Sequence, residues 1–311
     1  KKLRRSGAPK AARVPELVRS SASSRLADQS LSPVEASHRT LALRQLARKV
    51  SGSELVAAKL DVTPAKVQRR FLRGLVAAAA ERTRQREIDP SLPPLAIIVD
   101  KDHCAASPIF RTLAATVAAG EEHGIPEMLE PHKLAVLPGG KSPAGFARFV
   151  SDSGLAARYP EKSEREWEAV RLTYQDAFEG GRNEYIDAEL LATDVLASGT
   201  AEFLNAFMEA GGEVHIVTAL PDSLRGVTTD LFTKAGVEGI VLWMKPVGSK
   251  QPDPAYKTNR VQRIKKAHEV KAIFDDLGAN RRSMGEQCPD AVQATVAHPG
   301  FANEEAPNVA W

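Results

Sequence analysis

The sequence predicts an α/β protein: a doubly wound, Rossmann-like parallel sheet with an inserted helical cap, preceded by a small all-helical basic domain. Three observations predict it. Strand-length apolar runs, LAIIVD (95–100), VHIVTA (214–219), GIVLWM (239–244) and KAIFDD (271–276), alternate with stretches of helical period. In an open parallel sheet, ligands sit outside the carboxyl ends of the strands, which is where Asp100, Thr218, Asp275 and Asp276 fall. Charge is segregated as well: residues 1–88 hold 20 Lys or Arg against 7 Asp or Glu, and the remainder 22 against 32. A basic module for a polyanion joined to an acidic α/β module accounts for that split.

Composition narrows the class. A 43% hydrophobic, 5% aromatic chain of 311 residues is globular and long enough for two domains. Cys104 and Cys288 lie far apart with no CxxC spacing, so neither a disulfide framework nor a zinc knuckle is expected. The apolar runs are strand-sized, well short of the roughly 20 residues that span a bilayer. The expectation is a soluble intracellular protein without membrane contact. It is cytoplasmic, or mitochondrial or plastid if the basic start is the remnant of a transit segment.

Residues 1–32 read as a disordered basic arm: within the first 25, Glu16 stands alone against eight Lys or Arg. Residues 33–88 read as helical. A first pattern with Leu41, Leu43, Leu46 and Val50 breaks at Gly52; Ser53 caps a short helix ending near Leu60; Asp61-Val62 turns; and Thr63-Pro64 opens a helix carrying Lys66, Arg69, Arg70 and Arg73. Helix, short turn and basic helix resemble a helix-turn-helix, whose second helix enters a major groove. An ordinary helical hairpin with a solvated basic face has the same pattern. The partner expected for residues 1–88 is nucleic acid or a ribonucleoprotein, bound in a strongly salt-dependent way. Pro90, Pro93 and Pro94 mark the boundary before a second domain at 92–311.

Asp100 and Thr218 are 118 positions apart, far more than one crossover helix requires. SPIFRTLAATVAAGEEHGI and SEREWEAVRLTYQDAFEG within that interval have helical period, so a helical cap inserted at about 107–190 is expected. Of the residues near the motifs, Cys104 is read as packing, His215 as a strand residue facing a helix layer and His103 as a neutral turn histidine.

IIVDKDH (97–103) resembles the first motif of the haloacid dehalogenase superfamily, an apolar strand followed by Asp-x-Asp. VHIVTA matches the superfamily's strand-end Ser/Thr, and KAIFDDLGAN its fourth motif of paired acids. For the motif lysine two candidates stand: Lys257, 18 residues before Asp275, and Lys250 in KQPDP. The run to HPGF is similar to the phosphatase domain of polynucleotide kinase-phosphatases. The resemblance spans about 92–301 and implies roles. Asp100 is the nucleophile, Asp102 the acid/base, and Thr218 and Lys257 hold the transferring oxygens. Asp100, Asp275, Asp276 and the main-chain carbonyl of Asp102 hold Mg²⁺. The chemistry agrees, since a carboxylate attacking phosphorus needs a second carboxyl for the leaving oxygen, and clustered carboxylates need a cation. The implied function is a Mg²⁺-dependent phosphomonoester hydrolase working through an aspartyl-phosphate. The bulky cap departs from polynucleotide phosphatases and favours small phosphorylated substrates. The alternative is a non-catalytic subunit of an RNA- or DNA-containing complex, docking through its basic N-terminal region.

Overall fold

The structure, a computed structural model, describes residues 66–139, 142–179 and 188–296, and the backbone of 301–302. Helix α1 (Lys66–Ile88) leads into β1 (Leu95–Val99), followed by the two-residue strand β2 (Ala106–Ser107). An insertion holds α2 (Ile109–His123), β3 (Leu137–Pro138), α3 (Pro143–Asp152), α4 (Leu155–Arg158), α5 (Glu164–Phe178) and α6 (Ala188–Leu191). The chain returns through β4 (Val195–Leu196), α7 (Thr200–Glu209), β5 (Glu213–Pro221), α8 (Arg225–Lys234) and β6 (Val241–Lys245). It continues through α9 (Asp253–Ile264), β7 (Glu269–Phe274), α10 (Gly278–Gly285), β8 (Val292–Ala294) and β9 (Phe301–Ala302).

Five strands form one parallel sheet in the order β6-β5-β1-β7-β8. From β1 the chain winds outward to β5 and β6, then crosses back to β7 and β8. The winding therefore reverses between β1 and β7, and a crevice opens there at the carboxyl ends. Helices cover both faces, which is why every residue of β1 is buried and its sequence is continuously apolar. Ile97, Val99, Ile216 and Phe274 face Leu72, Leu75 and Ala79 of α1 and Phe203, Leu204 and Phe207 of α7. On the other face Ala96, Ile98, Val217 and Ile273 meet Tyr256, Val261 and Ile264 of α9 and Met284 of α10.

Helix α1 lies before the expected boundary at 88–92 and packs on the sheet that follows it. The contacts run through Leu72, Leu75 and Ala79, and Phe71 lies 6.3 Å from Phe274 between ring centroids. Thr83 Oγ1 donates to the Ala210 carbonyl at 2.9 Å, and a Cβ at the neighbouring Gly211, whose φ is +87°, would come within 2.0 Å of that hydroxyl. Glycine is needed there for both reasons. The apolar spacing of α1 was visible in the sequence, but the prolines after it drew the boundary. They lie in the connection from α1 to β1. Arg69, Arg70 and Arg73 lie on the exposed side of α1. The arm (1–32) and the first helices of the expected helix-turn-helix lie outside the described residues.

The insertion is a helical cap with a core of its own. Ala114, Ala115 and Ala119 of α2 pack with Phe146 and Phe149 of α3 and with Val170, Tyr174 and Phe178 of α5. Its two connections to the sheet run side by side as an antiparallel ribbon, Ala106 opposite Leu196 and Ser107 opposite Val195. A third connection comes from β9, which pairs with β3 of the cap. No helix among the described residues is long and apolar enough to cross a membrane.

Candidate functional site

The register of the sheet assembles the site. Val99 pairs with Phe274, so the next residues, Asp100 and Asp275, stand side by side on neighbouring strands at the reversal of winding. On the other side Val99 pairs with Ile216, which puts Thr218 one residue beyond the level of Asp100. The oxygens of Asp100, Asp275 and Asp276 lie within 4.8 Å of one another, and all three residues are buried. Lys257 reaches in from α9: its Nζ lies 2.7 Å from Asp100 Oδ1 and 2.6 Å from Asp275 Oδ2. Lys250 is exposed in the loop before α9. Of the two lysine candidates, Lys257 is the one that meets the carboxylates.

Asp275 is the most firmly held of the three. Its Oδ1 accepts from the Leu277 amide at 2.9 Å and from Asn280 Nδ2 at 3.1 Å, while Arg281 Nη1 donates to its carbonyl at 2.6 Å. Burial pushes the Asp100 carboxyl up to about 7, against the pull of Lys257 and with the push of Asp275. Asp276 is raised well above the carboxylate range by burial and by the charges of Asp275 and Asp100. Burial would lower Lys257, but Asp100 and Asp275 outweigh it and hold the ammonium charged. Three carboxylates share one ammonium, an imbalance that a hard divalent cation removes. The donor set fits Mg²⁺: oxygens alone, partly prepositioned, at a strand-end crevice.

Asp102 points to a different set of partners. Its Oδ1 accepts from Lys101 Nζ at 2.7 Å and from Arg111 Nη2 at 2.8 Å. Both cations also reach Asp194, Lys101 Nζ at 2.5 Å and Arg111 Nε at 2.7 Å. The side chains of Lys101, Arg111 and Asp194 are fully buried. Burial raises the Asp102 carboxyl, yet Arg111 and Lys101 together hold it well below the usual range. This four-residue network was not foreseen from the sequence. Lys101 was legible only as the residue between two aspartates, and Asp194 precedes β4 in no recognisable pattern.

A tight turn follows β1, with the Cys104 and Ala106 amides donating to the Lys101 carbonyl and the Ala105 amide to that of Asp100. His103 takes φ +53° in it and stacks on Phe178 of the cap at 6.1 Å. Cys104 is buried in the core beside β1. Thr218 is buried, and its Oγ1 accepts from the Leu220 amide at 3.3 Å, which orients the hydroxyl at the end of β5.

No family model matches the chain, and no curated relative matches it. Solved structures similar to it include a haloacid dehalogenase-like family hydrolase from Streptococcus pneumoniae (12% identity, 71% of this chain and 94% of that one, TM-score 0.41). A haloacid dehalogenase superfamily hydrolase of subfamily IA from Geobacter sulfurreducens is similar at 19% identity, over 65% of this chain and 85% of that one, with a TM-score of 0.34. A chain of the Pnkp1/Rnl/Hen1 RNA repair complex is similar at 12% identity, over 72% and 94%, with a TM-score of 0.33.

Proposed function

We propose that the chain is a Mg²⁺-dependent phosphomonoester hydrolase of the haloacid dehalogenase type, acting on small phosphorylated substrates. The observation that carries this reading is the convergence of Asp100, Asp275 and Asp276 around the Lys257 ammonium at the reversal of winding. Asp100 attacks phosphorus, the bond to the leaving oxygen breaks, and an acyl-phosphate forms on its carboxylate. Asp102, two residues on, gives a proton to the leaving oxygen and takes one from the water that then cleaves the acyl-phosphate. Its ion pairs with Lys101 and Arg111 favour the ionised form, which suits the second half-reaction; for the first, Asp102 must take up a proton from solvent as those pairs loosen on substrate binding. Lys257 holds a transferring oxygen and pulls Asp100 toward the ionised form, and the Thr218 hydroxyl donates to another oxygen. Asp100, Asp275, Asp276 and the Asp102 carbonyl would hold Mg²⁺, which supplies charge neutralisation on the phosphoryl group. A bulky cap beside the strand-end aspartates favours small esters over polymer ends.

The test is turnover of an aryl phosphate panel with Mg²⁺. Asp100→Asn is expected to lose at least about a thousandfold in kcat while still unfolding in one cooperative step. Wild-type protein no faster than Asp100→Asn across the panel would overturn the reading. A non-catalytic docking role would then account for the fold, and the exposed Arg69, Arg70 and Arg73 support it. Contact with nucleic acid through residues 1–88 is a separable part of the proposal: RNA or DNA binding should weaken steeply with salt.

A further inference from the structure

A second cluster of ligand-bearing side chains stands at the opposite rim of the sheet, away from the aspartates. β5 starts at Glu213, and β7 is preceded by His268; β1 runs between them and contributes the small Ala96 at that level, paired with Glu213 on one side and Val270 on the other. Glu213 Oε2 lies 2.9 Å from His268 Nε2 and 3.9 Å from His215 Nε2. The two imidazoles meet edge to face, 4.9 Å between centroids, and the three ligand atoms all lie within 4.8 Å of one another.

The surroundings of the two rings leave one nitrogen of each turned into the cluster. His268 Nδ1 lies 3.0 Å from the Ile264 carbonyl, which only accepts, so Nδ1 donates there. Nε2 faces the Glu213 carboxylate oxygen. A ligating histidine is arranged this way when its other nitrogen donates to a backbone carbonyl. His215 is buried, and its Nε2 has no hydrogen-bond partner. We propose that Glu213, His215 and His268 form a Zn²⁺ site that ties the starts of β5 and β7 together across β1. Two imidazoles and a carboxylate are a donor set this ion takes, with water in the fourth place. Glu213 is 44% exposed, which gives the ion its path from solution. Coordination through Nε2 moves the His215 proton to Nδ1, which now accepts from Trp243 Nε1 at 3.1 Å. Trp243, half-buried, must then turn its N–H to water, and its emission reports the event. The site is independent of the phosphatase reading: β7 alone, six residues or about 20 Å long, separates it from Asp275.

The experiment uses the full chain, stripped with chelator and titrated with Zn²⁺ in excess Mg²⁺, following heat and tryptophan emission. Wild type is expected to take up one Zn²⁺ with a change in emission. Glu213→Gln and His268→Gln should weaken that uptake about tenfold or more, and Asp275→Asn should leave it intact. No uptake by wild type, equal uptake by Glu213→Gln and His268→Gln, or a loss confined to Asp275→Asn overturns the proposal. Should both rim variants fail to fold, zinc-edge absorption of the wild-type complex decides. A shell with two imidazole nitrogens supports the site, and a shell of oxygens alone overturns it.

Discussion

At the scale of single residues, the reading depends on Lys257, a cation placed where an apolar side chain would otherwise sit. Lys257, Val261 and Ile264 are all buried and spaced i, i+4 and i+7 on α9, so the lysine occupies the inward stripe of the helix. That spacing was legible in the sequence and separates Lys257 from the exposed Lys250, although motif matching alone left both standing. Removing one partner of a buried ion pair costs about 3–5 kcal/mol, because the charge left behind stays buried and unpaired. Lys257→Met should therefore lower the unfolding free energy by about that amount in chelator, measured by urea denaturation. Mg²⁺ should restore more stability to the variant than to wild type, since the ion replaces the lost positive charge. A variant as stable as wild type in chelator would mean that Lys257 does not neutralise the aspartates.

At the scale of elements, the ribbon of β2 and β4 and the strand β5 each carry a buried polar device that the apolar pattern hides. Asp194, just before β4, is the anion that Lys101 and Arg111 share with Asp102, and it joins the base of the cap to the loop after β1. Asp194→Ala leaves two buried cations on one carboxylate, with an expected loss of about 3–5 kcal/mol in urea unfolding. Asp194→Asn, which keeps the shape and part of the hydrogen bonding, should lose less. Equal losses would reduce the network to packing. His215 on β5 is the pH-sensitive counterpart. Its folded-state value of about 4 lies below its ordinary 6.5, so the unfolded chain binds the proton first as pH falls. The stability from keeping it neutral is complete above 6.5 and is lost down to about 4, with a slope of up to about 1.4 kcal/mol per pH unit. In chelator, urea midpoints between pH 7.5 and 4.5 should fall more steeply for wild type than for His215→Leu; parallel curves would refute this. The sequence did place His215 on a strand facing helices. Its partners were illegible because Glu213, Trp243 and His268 come together only through the register of three strands.

At the scale of the whole molecule, the sequence led to the sheet, and the contacts of α1 bear on where the seam before it lies. Strand-end aspartates were legible because parallel strands buried on both faces write continuous apolar runs, and the crevice sits where those runs stop. The role of α1 was not legible, because its 23 residues carry both an apolar stripe and a basic face, and composition weighs only the second. The structure gives the stripe to the core: Leu72, Leu75 and Ala79 lie under β1 beside Phe203 and Phe207, and Arg82 pairs with Glu269 and bonds the Pro93 carbonyl. Burying each leucine contributes about 1.5–3 kcal/mol, so the helix as a whole supplies an amount comparable with the 5–15 kcal/mol that holds a domain folded. Two truncations separate the seams. A chain beginning at residue 66 should unfold cooperatively and keep its phosphatase turnover, while losing salt-sensitive binding to RNA or DNA. A chain beginning at residue 89 removes α1, exposes the apolar face of the sheet and should aggregate or melt at least about 10 °C lower. If the shorter chain melts with the longer one, α1 is an appendage and the boundary lies at the prolines after all.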